Sequence, residues 1–161
     1  MIPDSLLHEA ASLLDACRAK GVKLATAESC TGGLIAGVLT AIDGATDVVE
    51  RGFVAYSNAA KIEMLGVTAD VIASVGAVSE PVARRMAEGA LQRSHADIAI
   101  SATGIAGPRG SSADKPVGLV WFGVAQREGA VSSAHRVFPG DRTAIRIAAV
   151  EHAFALIRAR L

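Results

Sequence analysis

The chain has 161 residues, 51% hydrophobic and 20% charged, with 5 prolines and 16 glycines; this is enough apolar material for one domain-sized core and excludes disordered and collagen-like classes. Sixteen basic residues balance sixteen acidic ones and the isoelectric point is near 6.9, so no overall positive field favours a nucleic-acid partner.

Leu6, Leu7, Ala10, Leu13, Leu14 and Cys17 recur at helical spacing behind Asp4 or Ser5 as cap, and Gly21 stands where a C-terminal cap belongs. Val22 to Ala27 reads as a short buried strand. It leads into the polar, glycine-bearing turn Glu28 to Gly33, and LIAGVLTAI then reads as a mostly buried helix. Asp43-Gly44 marks a turn, Gly52 to Ser57 a second strand, and Asn58 caps a short helix that runs to Leu65 before Gly66. Ser79-Glu80-Pro81 opens a helix ending near Ser94, and Asp97 to Thr103 is a buried strand. A long glycine-rich loop, Gly104 to Gly118, follows; loops of that length usually bind something. Leu119 to Ala125 and Val131 to Phe138 form a hairpin around Glu128-Gly129, and Asp141 caps a last helix through about Arg160.

Helices alternating with buried strands and closed by a hairpin predict one layered α/β domain over residues 1–161, its mixed, mostly parallel sheet flanked by helices. Ligands in such sheets bind beyond the strand ends, where the two glycine-rich loops lie. The two cysteines, Cys17 and Cys30, are too few for a disulfide framework and have no zinc-like spacing, so no metal is expected and a reducing, cytoplasmic compartment fits. No stretch approaches the roughly 20 apolar residues of a membrane span and no basic leader opens the chain, so no membrane partner is expected. Mean hydropathy of +0.38, spread over Ala and Val, points to a well-filled core or a homodimer or larger homo-oligomer.

Ser29 sits on a strand-to-helix turn, exposed like a nucleophile and followed by N–H groups at the positive end of a helix that can hold a developing oxyanion. Equally, Ser29 or Thr31 caps that helix and the glycines permit the turn. The histidines His8, His95, His135 and His152 are scattered over helices, a turn and a hairpin, which leaves no Ser/His/acid triad. Among only four lysines, Lys61 follows a strand end; a desolvated lysine acts as a base, whereas a solvated one on a short helix does nothing. Thr103 and Gly104 close a buried strand, and Arg142 starts a helix where it either clamps a phosphate or pairs with a surface acid.

The stretches TAESCTGG (26–33), ERGFVAYSNAAKIEMLGV (50–67), GAVSEPVARRMAEGA (76–90), SATGIAGPRG with KPVG (101–118) and FPGDRTAIR (138–146) together resemble the CinA C-terminal domain family, which includes PncC-type nicotinamide-nucleotide amidases. The resemblance implies hydrolysis of the carboxamide of nicotinamide mononucleotide, a small-molecule substrate, to nicotinic acid mononucleotide and ammonia, with no cofactor. It also implies that Ser29 is the nucleophile, Lys61 the general base and later acid, and Tyr56 the residue that orients or tunes Lys61. On the same ground the backbone N–H groups around Thr31, Gly32 and Gly33 hold the oxyanion, Cys30 lies among the substrate-binding residues, and Thr103, Gly104 and Arg142 bind ribose and phosphate. Position 46, often serine in such proteins, is Thr46 here and offers a second hydroxyl that binds or attacks. Two rivals stand beside this reading: a non-catalytic nucleotide-binding or protein-interaction module of the competence and damage-inducible type, and an amidase for another small amide.

Overall fold

A computed structural model describes residues 2–161. Helix α1 (Asp4–Lys20) starts behind Pro3 with no side-chain cap; Asp4 is already helical, its charge facing the N-terminal end of the dipole, and Gly21 closes the helix at φ 64°. Strand β1 (Leu24–Glu28) leads through the turn 29–33 into α2 (Leu34–Thr40). A 3-10 turn (Ala45–Asp47) precedes β2 (Val49–Val54), and α3 spans Asn58–Leu65. Its cap is Ser57, whose Oγ accepts from the Ala60 N–H at 3.0 Å, because Asn58 is already the first helical residue. A helix absent from the sequence reading, α4 (Ala69–Val75), comes next; Thr68 and Gly76 flank it, but its three β-branched residues and the lack of a side-chain cap bond weaken that signal. Then come α5 (Glu80–Gln92), β3 (Ile98–Gly104), β4 (Leu119–Gln126), β5 (Ser132–Val137) and α6 (Arg142–Arg158). Asp141 caps α6 by accepting from Ala144 N–H at 2.9 Å.

The sheet order is β2-β1-β3-β4-β5. β1 pairs in parallel with both β2 and β3, and β4 pairs antiparallel with β3 and β5. Four of the five strands therefore point the same way, with β4 the exception, and the sheet is mixed. After β1 the chain crosses one face through α2 to β2, then returns across the other face through α3, α4 and α5 to β3. The connections leaving β1 and β3 thus diverge at the C-terminal ends of these neighbours, which opens a crevice there.

One face is covered by α1, α2 and α6 over Leu24, Ile98, Ile100, Phe122 and Phe154. The other is covered chiefly by α5 over smaller residues, Ala25, Ala27, Ala55 and Ala99 among them. There α5 lies so near β4 that a Cβ on Gly123 would run into the Ala83 carbonyl. Ser101 joins the two layers, donating to Ala83 O at 2.6 Å and accepting from Gly123 N–H at 3.0 Å. No helix among the described residues is long and apolar enough to cross a membrane.

Candidate active site

The turn after β1 is pinned to both neighbouring strands: Ser29 N–H donates to Ala102 O and Ala55 N–H to Glu28 O, each at 2.9 Å. This lifts Ser29 to the crevice, where its side chain meets α3. The fourth residue of α3 is Lys61, and its Nζ lies 2.9 Å from Ser29 Oγ and 3.1 Å from the Tyr56 carbonyl oxygen. Lys61 is only 2% exposed and Ser29 8%, so water has little access to the pair. Lys61 enters no ion pair among the described residues, and burial pulls its amine below the ordinary lysine value. An amine within hydrogen-bond reach of a serine hydroxyl, and made easier to deprotonate by burial, can take that proton when neutral.

The pair opens into a cleft of about 270 Å³ whose walls include Tyr56, Asn58, Thr103, Ala106, Arg109 and Arg142. Two arginines, Arg109 and Arg142, and no carboxylate line it beside Lys61, so an anionic ligand is favoured. Arg142 is held across its mouth, donating to Gly107 O at 2.9 Å and to the Tyr56 hydroxyl at 3.0 Å. Among the described residues no three His, Cys, Asp or Glu side chains converge as metal ligands would. Cys30 beside the serine is buried and its thiol is pushed up to about 12 by desolvation, so it stays protonated.

A family model described as the CinA C-terminal domain matches residues 7–161. The chain belongs to the CinA C-terminal domain family. It is 52% identical over 144 residues to the nicotinamide-nucleotide amidohydrolase PncC of Enterobacter agglomerans, covering 89% of this chain and 88% of that protein. It is 47% identical over 153 residues to PncC of Escherichia coli K12, covering 95% and 93%. A putative competence-damage inducible protein of Caldicellulosiruptor saccharolyticus is 52% identical over 139 residues, 86% of this chain but 34% of that protein. Among solved structures, the competence/damage inducible protein CihA of Agrobacterium tumefaciens superposes with a TM-score of 0.95 at 46% identity, covering 99% and 97% of the two chains.

Of the residues that the CinA resemblance singled out, Ser29, Lys61, Cys30, Tyr56, Thr103, Gly104 and Arg142 come together around the cleft. Tyr56 meets Lys61 through its backbone carbonyl, while its phenol is engaged by Arg142. The Thr103 hydroxyl donates to Ala77 O at 2.8 Å, which leaves its lone pairs to face a ligand. Gly32 and Gly33 are not available to an oxyanion. The Gly32 N–H donates to Ser29 O, and the Gly33 N–H to Glu28 Oε2, both at 3.0 Å. Thr31 is fully buried and does not line the cleft; its N–H and that of Cys30 donate to no oxygen among the described residues. Thr46 lies elsewhere, in a surface depression with Thr40 to Gly44 at the start of β2. β2 rises about 3.3 Å per residue from Val49 to Val54, so Thr46 is at the opposite end of the sheet from Ser29.

Sequence reasoning missed Glu28, the acid at the end of an otherwise apolar strand, whose carboxylate is wholly buried beneath α2. It gave no role to Arg146, which braces the same turn from α6 by donating to Thr31 O at 2.7 Å. Asn58 and Arg109 also line the cleft unannounced. Of these, only an acid interrupting a buried strand was a visible signal.

Proposed function

We propose that this chain, as a single amidase domain, hydrolyses the carboxamide of nicotinamide mononucleotide to nicotinic acid mononucleotide and ammonia. The observation that carries the mechanism is the buried 2.9 Å contact between Lys61 Nζ and Ser29 Oγ, in a cleft lined by cations. A module that only bound a nucleotide would have no use for an enclosed amine without a counter-ion. The substrate follows from the PncC relatives, which carry the name nicotinamide-nucleotide amidohydrolase at 47–52% identity over nearly the whole chain.

Neutral Lys61 accepts the Ser29 proton as Oγ attacks the carboxamide carbon. The Cys30 N–H, following the nucleophile on its turn, steadies the oxyanion. Lys61 then returns the proton to the departing nitrogen, ammonia leaves, and water activated by the same amine cleaves the acyl-serine. Arg109 and Arg142 hold the phosphate, and Thr103 and Gly104 lie against the ribose. The reaction belongs in the cytoplasm, in keeping with two free, buried thiols, and exposed Val54, Ile62 and Val137 support a homo-oligomer.

The test is ammonia release from nicotinamide mononucleotide by the wild type, Ser29→Ala and Lys61→Ala, with and without a chelator. Both variants are expected to lose at least about 10³-fold in kcat, and the chelator to change nothing. Undiminished turnover in Ser29→Ala would remove that residue from the mechanism, and tight binding of the mononucleotide without ammonia release would return the chain to a binding module. Because burial lowers the Lys61 pKa, kcat/KM should rise with pH through a value below the ordinary 10.5 of a free lysine.

A further inference from the structure

We propose that Glu28 is a positioning residue for this reaction: its carboxylate fills the start of α2 from inside and thereby sets Ser29 at bonding distance from Lys61. The proposal rests on the reading of Ser29 as nucleophile and adds to it the means by which the nucleophile is held. The carboxylate is 0% exposed. Oε2 accepts from the Gly33 and Ile35 N–H groups, each at 3.0 Å, and Oε1 from the Ala36 N–H at 2.9 Å. No lysine or arginine pairs with it among the described residues. A buried charge of this kind is tolerated only when fully hydrogen-bonded, and bonds to an ionised acceptor are short and strong.

The three bonds reach across the turn. They tie the residue before Ser29 to residues five, seven and eight positions on, so the loop carrying the nucleophile is closed from within. Gly32 and Gly33, at φ 60° and 93°, provide the left-handed backbone that such a closure needs. Two outer braces act on the same loop, Ser29 N–H on Ala102 O and Arg146 on Thr31 O. Glu28 is the inner one.

The placement also settles how two buried ionisable groups share one turn. Consecutive side chains at a strand end point to opposite faces, so Glu28 lies under α2 while Ser29 faces α3 and Lys61. The amide donors satisfy the carboxylate where it cannot reach the amine. An ion pair between the two would hold Lys61 protonated and useless as a base; its absence leaves the amine free to act. The N–H array at the head of α2 is likewise closed to substrate anions, which directs them to Arg109 and Arg142.

Glu28→Gln keeps the shape but offers one carbonyl oxygen and turns an NH₂ toward a backbone donor. Glu28→Asp keeps an acceptor-only carboxylate but withdraws it by one methylene from its three N–H donors. In both variants the rate constant for phosphonylation of Ser29 by a fluorophosphonate is measured. In that step Oγ–P forms, P–F breaks, fluoride leaves and Lys61 takes the proton. The end-point labelling counts folded sites, whereas the rate constant reads how well Ser29 is placed. For Glu28→Gln both this rate constant and kcat for the mononucleotide should fall about 10–100-fold, as expected of sub-ångström to ångström misplacement. KM should stay within about twofold and labelling should remain stoichiometric. Glu28→Asp should show a fall of the same kind, and it decides the matter if Glu28→Gln does not fold. Wild-type rate constants on the labelled sites of either folded variant, with only the end point reduced, would show a purely structural role and overturn the proposal. A wild type that releases no ammonia would overturn the substrate reading alone, since labelling still reports Glu28.

Discussion

The two faces of the sheet carry different kinds of packing. Under α1, α2 and α6 large side chains interlock, with Leu6, Leu13, Leu14, Phe122 and Phe154 almost wholly excluded from water. Under α5 the layer is thin: alanines line the strands, Ser101 hydrogen-bonds strand to helix, and glycine replaces any side chain at the closest approach. Lys61 belongs to this thin side, carried by α3. The thick face supplies stability through area removed from water, and the thin face supplies a polar corner where a long amine can lie among small neighbours. Stability and chemistry are therefore separable by substitution.

The largest effect should come from the thick face. Phe154→Ala is expected to cost about 3–5 kcal/mol in urea unfolding by leaving a cavity, while the folded fraction keeps wild-type kcat; a loss of kcat there would join the two faces. Gly123→Ala should cost about 1–3 kcal/mol, since the new Cβ presses on the Ala83 carbonyl. It should also lower kcat, because α5 supports α3 and so the height of Lys61 over Ser29; unchanged kcat would show that α3 is held independently. Smallest is Lys61→Met, expected to abolish activity yet raise Tm by roughly 2–4 °C, the response of a domain this size to about 1 kcal/mol. The sign follows from the depressed pKa of Lys61. Between its folded value and the higher unfolded one, the unfolded chain binds more protons, so stability rises with pH across that interval. In Lys61→Met that slope should flatten in melting curves recorded across the alkaline range.

Much of this architecture is written locally. The apolar stripe and Gly21 define α1, Asp141 starts α6, and the continuous apolar runs of β1 and β3 mark strands buried on both faces. β2 was harder to place because it is an edge strand: Val49, Glu50 and Arg51 are partly or fully open to water, so the reading began at Gly52, three residues late. In the site, a strand-end turn and a lysine after another strand make Ser29 and Lys61 candidates and only the CinA resemblance gives them roles, while their 2.9 Å approach depends on β1 and β2 being neighbours. Gly32 and Gly33 were expected to serve an oxyanion since the head of any helix offers free N–H groups. Nothing local says that an acid five residues earlier will occupy the Gly33 N–H, or that the Ser29 carbonyl will occupy that of Gly32. Thr46 was drawn in by a motif position, which carries no information about which end of a strand it stands at.

Helix α6 has a consequence for how the molecule comes into being. It supplies Phe154 and Ile157 to the core, Arg142 to the cleft and Arg146 to the turn after β1, yet it is synthesised after all five strands of the sheet. A nascent chain leaving the ribosome holds its serine and its lysine well before the segment that steadies them has been translated. The cleft is thereby completed only once α6 has been translated, and a chain interrupted before residue 142 would display an unshielded apolar sheet face to the chaperones and proteases of the cell.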